Sequence, residues 1–296
     1  MMVLFNTDHY FFIGHSHLNS GKPCQDYALS GECGGAAFAI IADGCSTGGN
    51  TDIGSRIISL ATASVIKDHW MVNKDTVGKE ISSEIAFKQK IAISGIRSTL
   101  DLRSKDMFST CVYAYLSDKG GLVHIQGDGV VAIKYRSGSI SIIKTEWQKN
   151  MPFYPSYAES DMGGFIMKHG GDLNADAVKK TTCLIGGKDV LKEETSDFTL
   201  KQGIAGTVIK LERAEDIDFV AVFSDGIAQI DDVDWIEATL LMIAFKNFAG
   251  EFLKRRMIRG IKDFQADGKK GPLDDISCAI IRVTLEEGDE ADGNKG

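Results

Sequence analysis

Several aspartates in this chain stand where apolar, strand-like segments begin or end. Asp43 follows the run AAFAIIA and precedes Gly44, and Asp225 follows AVFS and precedes a second glycine. Asp274 and Asp275 come directly before ISCAII, which is typical of a strand. A carboxylate at the end of a buried strand is unfavourable unless something compensates for its lost hydration. This placement indicates a cation at the strand ends.

Two further aspartates have similar surroundings. Asp128 lies in QGDG between two strand-like runs, and Asp26 closes PCQD before YALS. Hard divalent cations such as Mg²⁺ or Mn²⁺ prefer oxygen ligands, and a glycine after an aspartate lets the backbone approach a metal. Asp-Gly is also an ordinary turn sequence. Spacing alone therefore leaves a metal site and a set of turns both open.

Short runs rich in Val, Ile and aromatic residues predict the strands that would carry these aspartates. The predicted strands are 36–42, 110–116, 122–126, 130–135, 140–144, 218–223 and 276–283, with further strands at 165–168, 181–185 and 206–211. The segment between Tyr135 and Ile140 contains Gly138 and predicts a hairpin turn.

Apolar residues three and four apart predict helices over 53–70 and 81–100, and a third helical region over 235–264 interrupted near Gly250. The element order lacks the alternation of a doubly wound parallel sheet and predicts antiparallel sheets covered by helices, an α+β class. The segment 145–161 is predicted to be an ordered loop or flap. We expect one domain over 1–285 and an acidic, disordered tail over 286–296.

Composition limits the partners and the compartment. The net charge is −8, so the surface would repel nucleic-acid backbones, and the one dense basic run, around Lys254 and Arg259, is expected to be a solvated helix face. Six cysteines without a Cys-x-x-Cys pair favour reduced thiols. Signal-peptide and membrane-spanning patterns are lacking. The sequence predicts a soluble, cytoplasmic protein without nucleic-acid or membrane partners.

Six short motifs occur in an order that resembles a known family. They are CQD (24–26), ADG (42–44), STC (109–111), GDG (127–129), FSDG (223–226) and DDIS (274–277). Each is weak alone, but together they resemble the metal-dependent type 2C (PPM) serine/threonine protein phosphatases over nearly the whole chain. The N-terminal sequence GHSH…GKPCQD (14–26) is similar to a divergent bacterial branch.

The resemblance implies a four-layer α-β-β-α sandwich with two packed antiparallel sheets and a metal centre at one end. Asp43 would bridge two cations. Asp26 and the carbonyl of Gly44 would serve mainly one of them, and Asp225 and Asp274 the other.

Two further aspartates are assigned by the same resemblance. Asp128 matches an aspartate linked to a third, weaker metal site. The family usually has Asp-Asn in the last motif, so Asp274 aligns as the ligand and Asp275 takes the place of the asparagine.

The resemblance also implies an activity. A water bridging two Mn²⁺ or Mg²⁺ ions would hydrolyse phosphoserine or phosphothreonine without a phosphoenzyme. The residues assigned to catalysis are Asp43 and His17. The partners would be phosphoserine- and phosphothreonine-containing proteins and a cognate kinase pathway, and the 145–170 region would be the variable flap that helps to choose the substrate.

Two departures from the family pattern keep alternatives open. Many members place a phosphate-clamping arginine before the first aspartate, where this chain offers Gly21 and Lys22, with His15 and His17 upstream. Either His17 or Lys22 would take the clamping role. Animal members follow Asp-Gly with a histidine, where this chain has Cys45. A catalytically silent module that binds phosphoproteins is therefore one alternative.

Two other classes remain as alternatives. One is a two-metal hydrolase of small phosphate esters, although such sites usually mix His with Asp, and only His15 and His17 come near the key aspartates in the sequence. The other is a nucleotide-binding protein, because residues 49–56 imitate the start of a phosphate loop. That loop needs Lys before Ser or Thr after its second glycine, whereas this chain has Ser55 and then Arg56.

Overall fold

Two antiparallel sheets and the helices on their outer faces form the computed structural model, which describes residues 2–72, 79–187 and 189–286. The strands are β1 (Met2–Phe12), β2 (Tyr27–Cys33), β3 (Ala36–Ala42), β4 (Cys111–Ser117), β5 (Gly120–Gln126), β6 (Gly129–Tyr135), β7 (Ile140–Trp147), β8 (Asp176–Gly186), β9 (Asp189–Thr199), β10 (Thr207–Leu211), β11 (Ile217–Phe223) and β12 (Ile276–Glu286). The helices are α1 (His15–Ser20), α2 (Thr51–Val72), α3 (Lys79–Leu100), α4 (Tyr157–Ser160), α5 (Met162–Lys168), α6 (Leu200–Ala205), α7 (Trp235–Met242) and α8 (Phe252–Phe264).

The strand order brings the chain's first and last strands together. One sheet has the order β1-β12-β11-β6-β7-β8-β9, and the other has the order β10-β5-β4-β3-β2. β1 pairs with β12 from Met2 opposite Glu286 to Phe12 opposite Ile276. Every neighbouring pair of strands is antiparallel.

Three apolar layers hold the four structural layers together. Residues of β3, β4, β6 and β11, such as Val112 and Val222, fill the space between the two sheets. The opposite face of β3 and β4 packs against α2 and α3 through residues such as Phe38 and Ile66. The outer face of the other sheet packs against α7 and α8. The α+β class and the four-layer sandwich are therefore confirmed. Because β3 and β4 are covered on both faces, their sequences are continuously apolar.

The predicted elements agree with the structure at most positions. The predicted strands other than 165–168 and the helices at 53–70 and 81–100 all exist. The third helical region is two helices, α7 and α8, separated by residues 243–251, and Gly250 there has φ +55°. The hairpin between β6 and β7 is also present, with Gly138 N–H donating to the carbonyl of Tyr135.

The prediction of a strand at 165–168 is wrong, because these residues belong to helix α5. The carboxylate of Asp161 accepts a hydrogen bond from the N–H of Gly164 and caps this helix. Phe165 then packs against the rings of Trp147 and Tyr157, with centroid distances of 5.8 and 4.7 Å. A short apolar run does not distinguish a helix from a strand, and here the cap decides.

Three strands were not predicted, namely β1, β2 and β9. β1 contains Asn6, Asp8 and His9, which interrupt its apolar pattern. β9 has the sequence DVLKEETSDFT, is almost entirely exposed and pairs only with β8 at the edge of its sheet. An edge strand held by backbone hydrogen bonds needs no apolar face, so hydrophobic periodicity does not reveal it.

Several smaller expectations also have an outcome. The segment 145–161 contains the end of β7, a loop and α4, so it is an ordered flap as predicted. All six cysteines are free. The tail was predicted over 286–296; Glu286 belongs to β12, and the rest lies outside the described residues. No helix in the described ranges is long and apolar enough to cross a membrane.

Candidate metal centre

The aspartates singled out from the sequence lie at one end of the sandwich. Strand pairing places the end of β3 beside the start of β2, and the end of β11 beside the starts of β6 and β12. The residues next to these strand ends are Asp43, Asp26, Asp225, Asp128 and Asp274. Four of them, all except Asp26, line one cavity of about 140 Å³. The sheets therefore bring together carboxylates that are far apart in sequence.

Glycines allow the backbone segments at this end to approach closely. A Cβ on Gly226 would lie 1.9 Å from the carbonyl oxygen of Asp275, and a Cβ on Gly44 would lie 2.7 Å from that of Gln25. Neither distance is possible for a real side chain. The glycines after Asp43 and Asp225 are therefore required for packing.

The carboxylates raise one another's pKa. Burial is the main cause of the raised pKa of Asp43, and repulsion from Asp26, Asp225 and Asp128 adds to it. Burial and the charge of Asp225 likewise raise the pKa of Asp128. The pKa of Asp225 is raised by burial, while hydrogen bonding with Asp43 opposes that rise. Negative charge in this cluster is therefore only partly compensated by the protein.

Asp26 shows the lack of compensation most clearly. It is 3% exposed, and neither carboxylate oxygen has a hydrogen-bond partner of normal geometry, although Ser224 and Ser277 lie nearby. Burial, followed by repulsion from Asp275, raises its pKa to about 8. A buried, unpaired carboxylate among other aspartate carboxylates contributes to a set of oxygen ligands that fits Mg²⁺ or Mn²⁺.

Two residues at the cavity were missed by sequence reasoning. Gln229 donates a hydrogen bond from Nε2 to Oδ2 of Asp225 at 2.8 Å. Asn150 in the flap lines the cavity and has φ +51°, next to Lys149 with φ +60°. Left-handed backbone at residues other than glycine often marks functional loops, but it is not visible in a sequence.

His17 and Asp275 lie beside the carboxylate cluster. Nδ1 of His17 is 2.8 Å from Oδ2 of Asp275 and 3.8 Å from Oδ1 of Asp274. Among the described residues, these three form the one group of His, Cys, Asp or Glu side chains whose ligand atoms all lie within 4.8 Å of one another. His17 is 5% exposed, and its assigned catalytic role stays a prediction.

Lys22 and Cys45, where the chain departs from the family pattern, also border the site. Nζ of Lys22 donates to the carbonyl of Ser46 at 2.8 Å, and both residues line a cavity of about 350 Å³ with His17 and Asp274. Cys45 lines the smaller cavity beside Asp43, with its Sγ 3.2 Å from Oγ1 of Thr47.

Comparison with known proteins identifies the family. The sequence profile of the family described as Protein phosphatase 2C matches residues 13–257. The chain therefore belongs to the protein phosphatase 2C family, and the resemblance seen in its motifs is confirmed. No curated protein sequence matches the chain.

Solved bacterial phosphatases share the fold at low sequence identity. The catalytic domain of the serine/threonine phosphatase PstP, in complex with two manganese ions, is 15% identical with a TM-score of 0.53, covering 96% of this chain and 100% of that one. A bacterial serine phosphatase is 10% identical with a TM-score of 0.54, at the same coverage.

Proposed function

We propose that this chain is a metal-dependent protein serine/threonine phosphatase that uses two divalent cations, Mn²⁺ or Mg²⁺, and has a third, weaker cation site. The observation that carries the proposal is the cluster of buried aspartates, with unpaired Asp26 among them, at the end of a protein phosphatase 2C sandwich. Such a cluster has a clear physical reason to exist only if cations neutralise it.

The ligands are divided between the sites as the family pattern implies. Asp26, Asp43 and the carbonyl of Gly44 would hold one cation. Asp43, Asp225 and Asp274 would hold the other. Asp128, which is 7% exposed and electrostatically coupled to Asp225, would belong to the third site.

The chain's own residues would orient the ligands and the substrate. When bound, the cations would lower the pKa of a bound water, so that hydroxide is available to attack phosphorus. They would also offset charge on the phosphoryl oxygens. Gln229 fixes the orientation of Asp225 through its hydrogen bond. Asn150 and Tyr154 of the flap line the same cavity as the aspartates. No histidine follows Gly44, so we assign protonation of the leaving group to water.

The substrate would be a phosphoserine or phosphothreonine segment lying across this rim. The cavity beside the aspartates has a volume of about 140 Å³, below the usual size of a small-molecule pocket, which favours a phosphate group over a whole nucleotide. The flap over 145–170 would contribute to the choice of substrate, and a cognate protein kinase would supply the phosphorylated protein.

A catalytically silent module on the same fold is the second candidate. It is favoured by the environment of Lys22, whose Nζ is bound to a backbone carbonyl, and by Cys45 at the place of the histidine. A silent module would bind cations and phosphoproteins without releasing phosphate.

Hydrolysis of a phosphothreonine peptide with and without Mn²⁺ tests the proposal. We expect phosphate release that requires the metal and is abolished by Asp43→Asn and by Asp225→Asn. Asp8→Asn is a matched control, because the Asp8 carboxylate accepts backbone hydrogen bonds from Leu253 and Lys254 away from the centre. Mn²⁺ binding without phosphate release from several peptides would favour the silent module.

A further inference from the structure

Asp275 joins separate chain segments beside the metal centre. Its Oδ1 accepts a hydrogen bond from the N–H of Gly14 at 2.7 Å, and its Oδ2 accepts one from the N–H of Gln25 at 2.6 Å. Nδ1 of His17 lies 2.8 Å from the same Oδ2. The residue is 3% exposed. Both of its oxygens are therefore occupied by donors from the chain.

The contact with His17 is electrostatic rather than a well-aligned hydrogen bond. Nδ1 is buried and has no hydrogen-bond partner of normal geometry. The lone pair of a bare ring nitrogen would be repelled by a carboxylate oxygen 2.8 Å away, so we assign the ring hydrogen to Nδ1, although its N–H is not aligned on that oxygen. Asp275 therefore fixes which nitrogen of His17 is protonated and how the ring is placed.

Backbone contacts connect Asp275 to the predicted metal ligands. Gln25 donates its N–H to Asp275, and its carbonyl accepts a hydrogen bond from Gly44 at 3.2 Å. A Cβ on Gly14 would lie 2.1 Å from the carbonyl carbon of Asp274, so the backbone at Gly14 packs directly against the backbone of Asp274. The three predicted ligands adjacent in sequence to this set of contacts are Asp26, Asp43 and Asp274.

The geometry explains why this chain has aspartate where the family usually has asparagine. Both oxygens of Asp275 face backbone N–H donors. An asparagine would turn its NH₂ group toward one of these donors and would leave a buried N–H without a partner. His17 lies against the same oxygen as the N–H of Gln25, so the need for two acceptor oxygens comes from Gly14 and Gln25.

We propose that Asp275 and His17 are positioning residues that hold Asp26 and Asp274 in place for cation binding, and that neither side chain touches a cation or the substrate. This rests on the metal-binding part of the proposed function. His17 then acts through Asp275 and takes no part in proton transfer to the substrate.

Calorimetric titration with Mn²⁺ tests the proposal on the variants Asp275→Asn, His17→Gln and the double variant. Residues that orient metal ligands typically change affinity by about 10–100-fold. We expect Asp275→Asn to weaken Mn²⁺ binding within that range, and His17→Gln to weaken it less. The double variant should bind no more weakly than Asp275→Asn, because the two residues act as a unit. Asp8→Asn should leave the affinity unchanged.

Phosphate release at saturating Mn²⁺ separates positioning from catalysis. Saturating metal should restore most of the turnover of His17→Gln. An unchanged Mn²⁺ affinity together with turnover that stays low would make His17 a catalytic group and overturn the proposal, as would a wild-type affinity in Asp275→Asn. If Asp275→Asn does not fold, His17→Gln decides, because it leaves both backbone hydrogen bonds of Asp275 in place.

The outcomes for the proposed function are distinct. If wild-type protein binds Mn²⁺ but releases no phosphate, the proposed phosphatase activity is wrong. The positioning roles of Asp275 and His17 are then still tested by the Mn²⁺ affinities of the variants. Wild-type protein that binds no Mn²⁺ overturns both. Hydrogen exchange in metal-free protein adds an independent readout, since Asp275→Asn should speed exchange of the one amide, of Gly14 or Gln25, that faces the new NH₂ group, while His17→Gln should speed neither.

Discussion

Asp26 and Asp106 both have little accessible surface but lie in opposite electrostatic environments. Asp26 lies deep in the carboxylate cluster, whereas Asp106 lies near the protein surface beside the exposed Arg103. Asp26 is 3% exposed and Asp106 is 2% exposed. Burial raises the pKa of Asp26 to about 8, and the charge of Asp275 adds to the rise. Burial would also raise the pKa of Asp106, but hydrogen bonds from Arg103 and the N–H of Asn50 outweigh it, so the pKa is lowered.

The difference lies in what each region offers its carboxylate. Around Asp106, the N–H groups of Asn50 and Arg103 each donate at 2.8 Å, and the Arg103 guanidinium lies 3.3 Å away. Around Asp26, neither oxygen has a hydrogen-bond donor of normal geometry, and the nearby hydroxyls of Ser224 and Ser277 lower its pKa by less than burial raises it. The chain therefore stabilises the Asp106 carboxylate with its own donors. It leaves the Asp26 carboxylate without a well-aligned partner, where a cation would complete the site.

The largest expected difference between the two regions is in metal binding. Asp43→Asn removes the ligand assigned to both cations, so we expect Mn²⁺ affinity to fall more than about 100-fold, beyond the range for residues that only orient ligands. Asp106→Asn should change the affinity only slightly. Calorimetric titration of both variants measures this, and similar losses in both would remove the distinction between the regions.

Stability without metal should change in opposite directions in the two regions. Asp106→Asn exchanges a carboxylate that accepts several hydrogen bonds for an amide with one acceptor, and should lower the free energy of unfolding by about 1–3 kcal/mol. Asp43→Asn removes a charge repelled by its neighbours and should raise the free energy of unfolding of metal-free protein. Urea denaturation without metal measures both, and a loss of stability in Asp43→Asn would contradict the account.

The pH dependence should also differ in sign. The pKa of Asp26 in the folded protein is about 8, above its ordinary 3.8, so the folded state binds more protons between these values. Its contribution to the stability of metal-free protein is present below about pH 4 and is lost as the pH rises toward 8. Asp26→Asn should flatten this decline in urea denaturation measured from pH 4 to 8. A decline of the same size in the variant would show that groups other than Asp26 cause the loss of stability.

For Asp106 the sign is reversed. Its pKa is lowered in the folded protein, so its contribution is present above its ordinary pKa and is lost as the pH falls below about 4. Comparison of Asp106→Asn with wild type near pH 3 and pH 6 should show the larger destabilisation at pH 6. Equal destabilisation at both values would show that the hydrogen bonds do not depend on the charge.

The smallest expected effect concerns Gln229, which gives Asp225 the partner that Asp26 lacks. Gln229→Met keeps the length of the side chain and removes the hydrogen bond at 2.8 Å. We expect a loss of about 0.5–1.5 kcal/mol in the stability of metal-free protein and weaker Mn²⁺ binding. Thermal unfolding and calorimetry measure these changes, and an unaltered affinity would show that Asp225 needs no orienting partner.

Much of the fold could be predicted from the sequence because its central strands are covered on both faces. β3 is apolar throughout, β11 is apolar from Phe219 to Phe223, and an Asp-Gly pair follows each strand, so both the strands and their candidate ligands are visible. β9 has no such signal because it is an exposed edge strand, and the cap that makes α5 a helix depends on Asp161, outside the apolar run.

The candidate site was less predictable, because its details depend on contacts between distant segments. Asp43 and Asp225 stood out by their motifs. The contact of Asp275 with Gly14 and Gln25 joins residues 261 and 250 positions apart, and no local pattern reveals it. His17 was assigned from its type and place in the sequence, whereas its contact with Asp275 depends on the fold.

Titration of metal-free wild-type protein with Mn²⁺ in a calorimeter, repeated in buffers of different ionisation enthalpy, tests the central claim most directly. The account predicts at least two ions per chain and a net release of protons near pH 7, because carboxyl groups with raised pKa values must ionise to bind metal. Absence of Mn²⁺ binding, or binding without proton release, would contradict the claim that these buried aspartates form the metal centre.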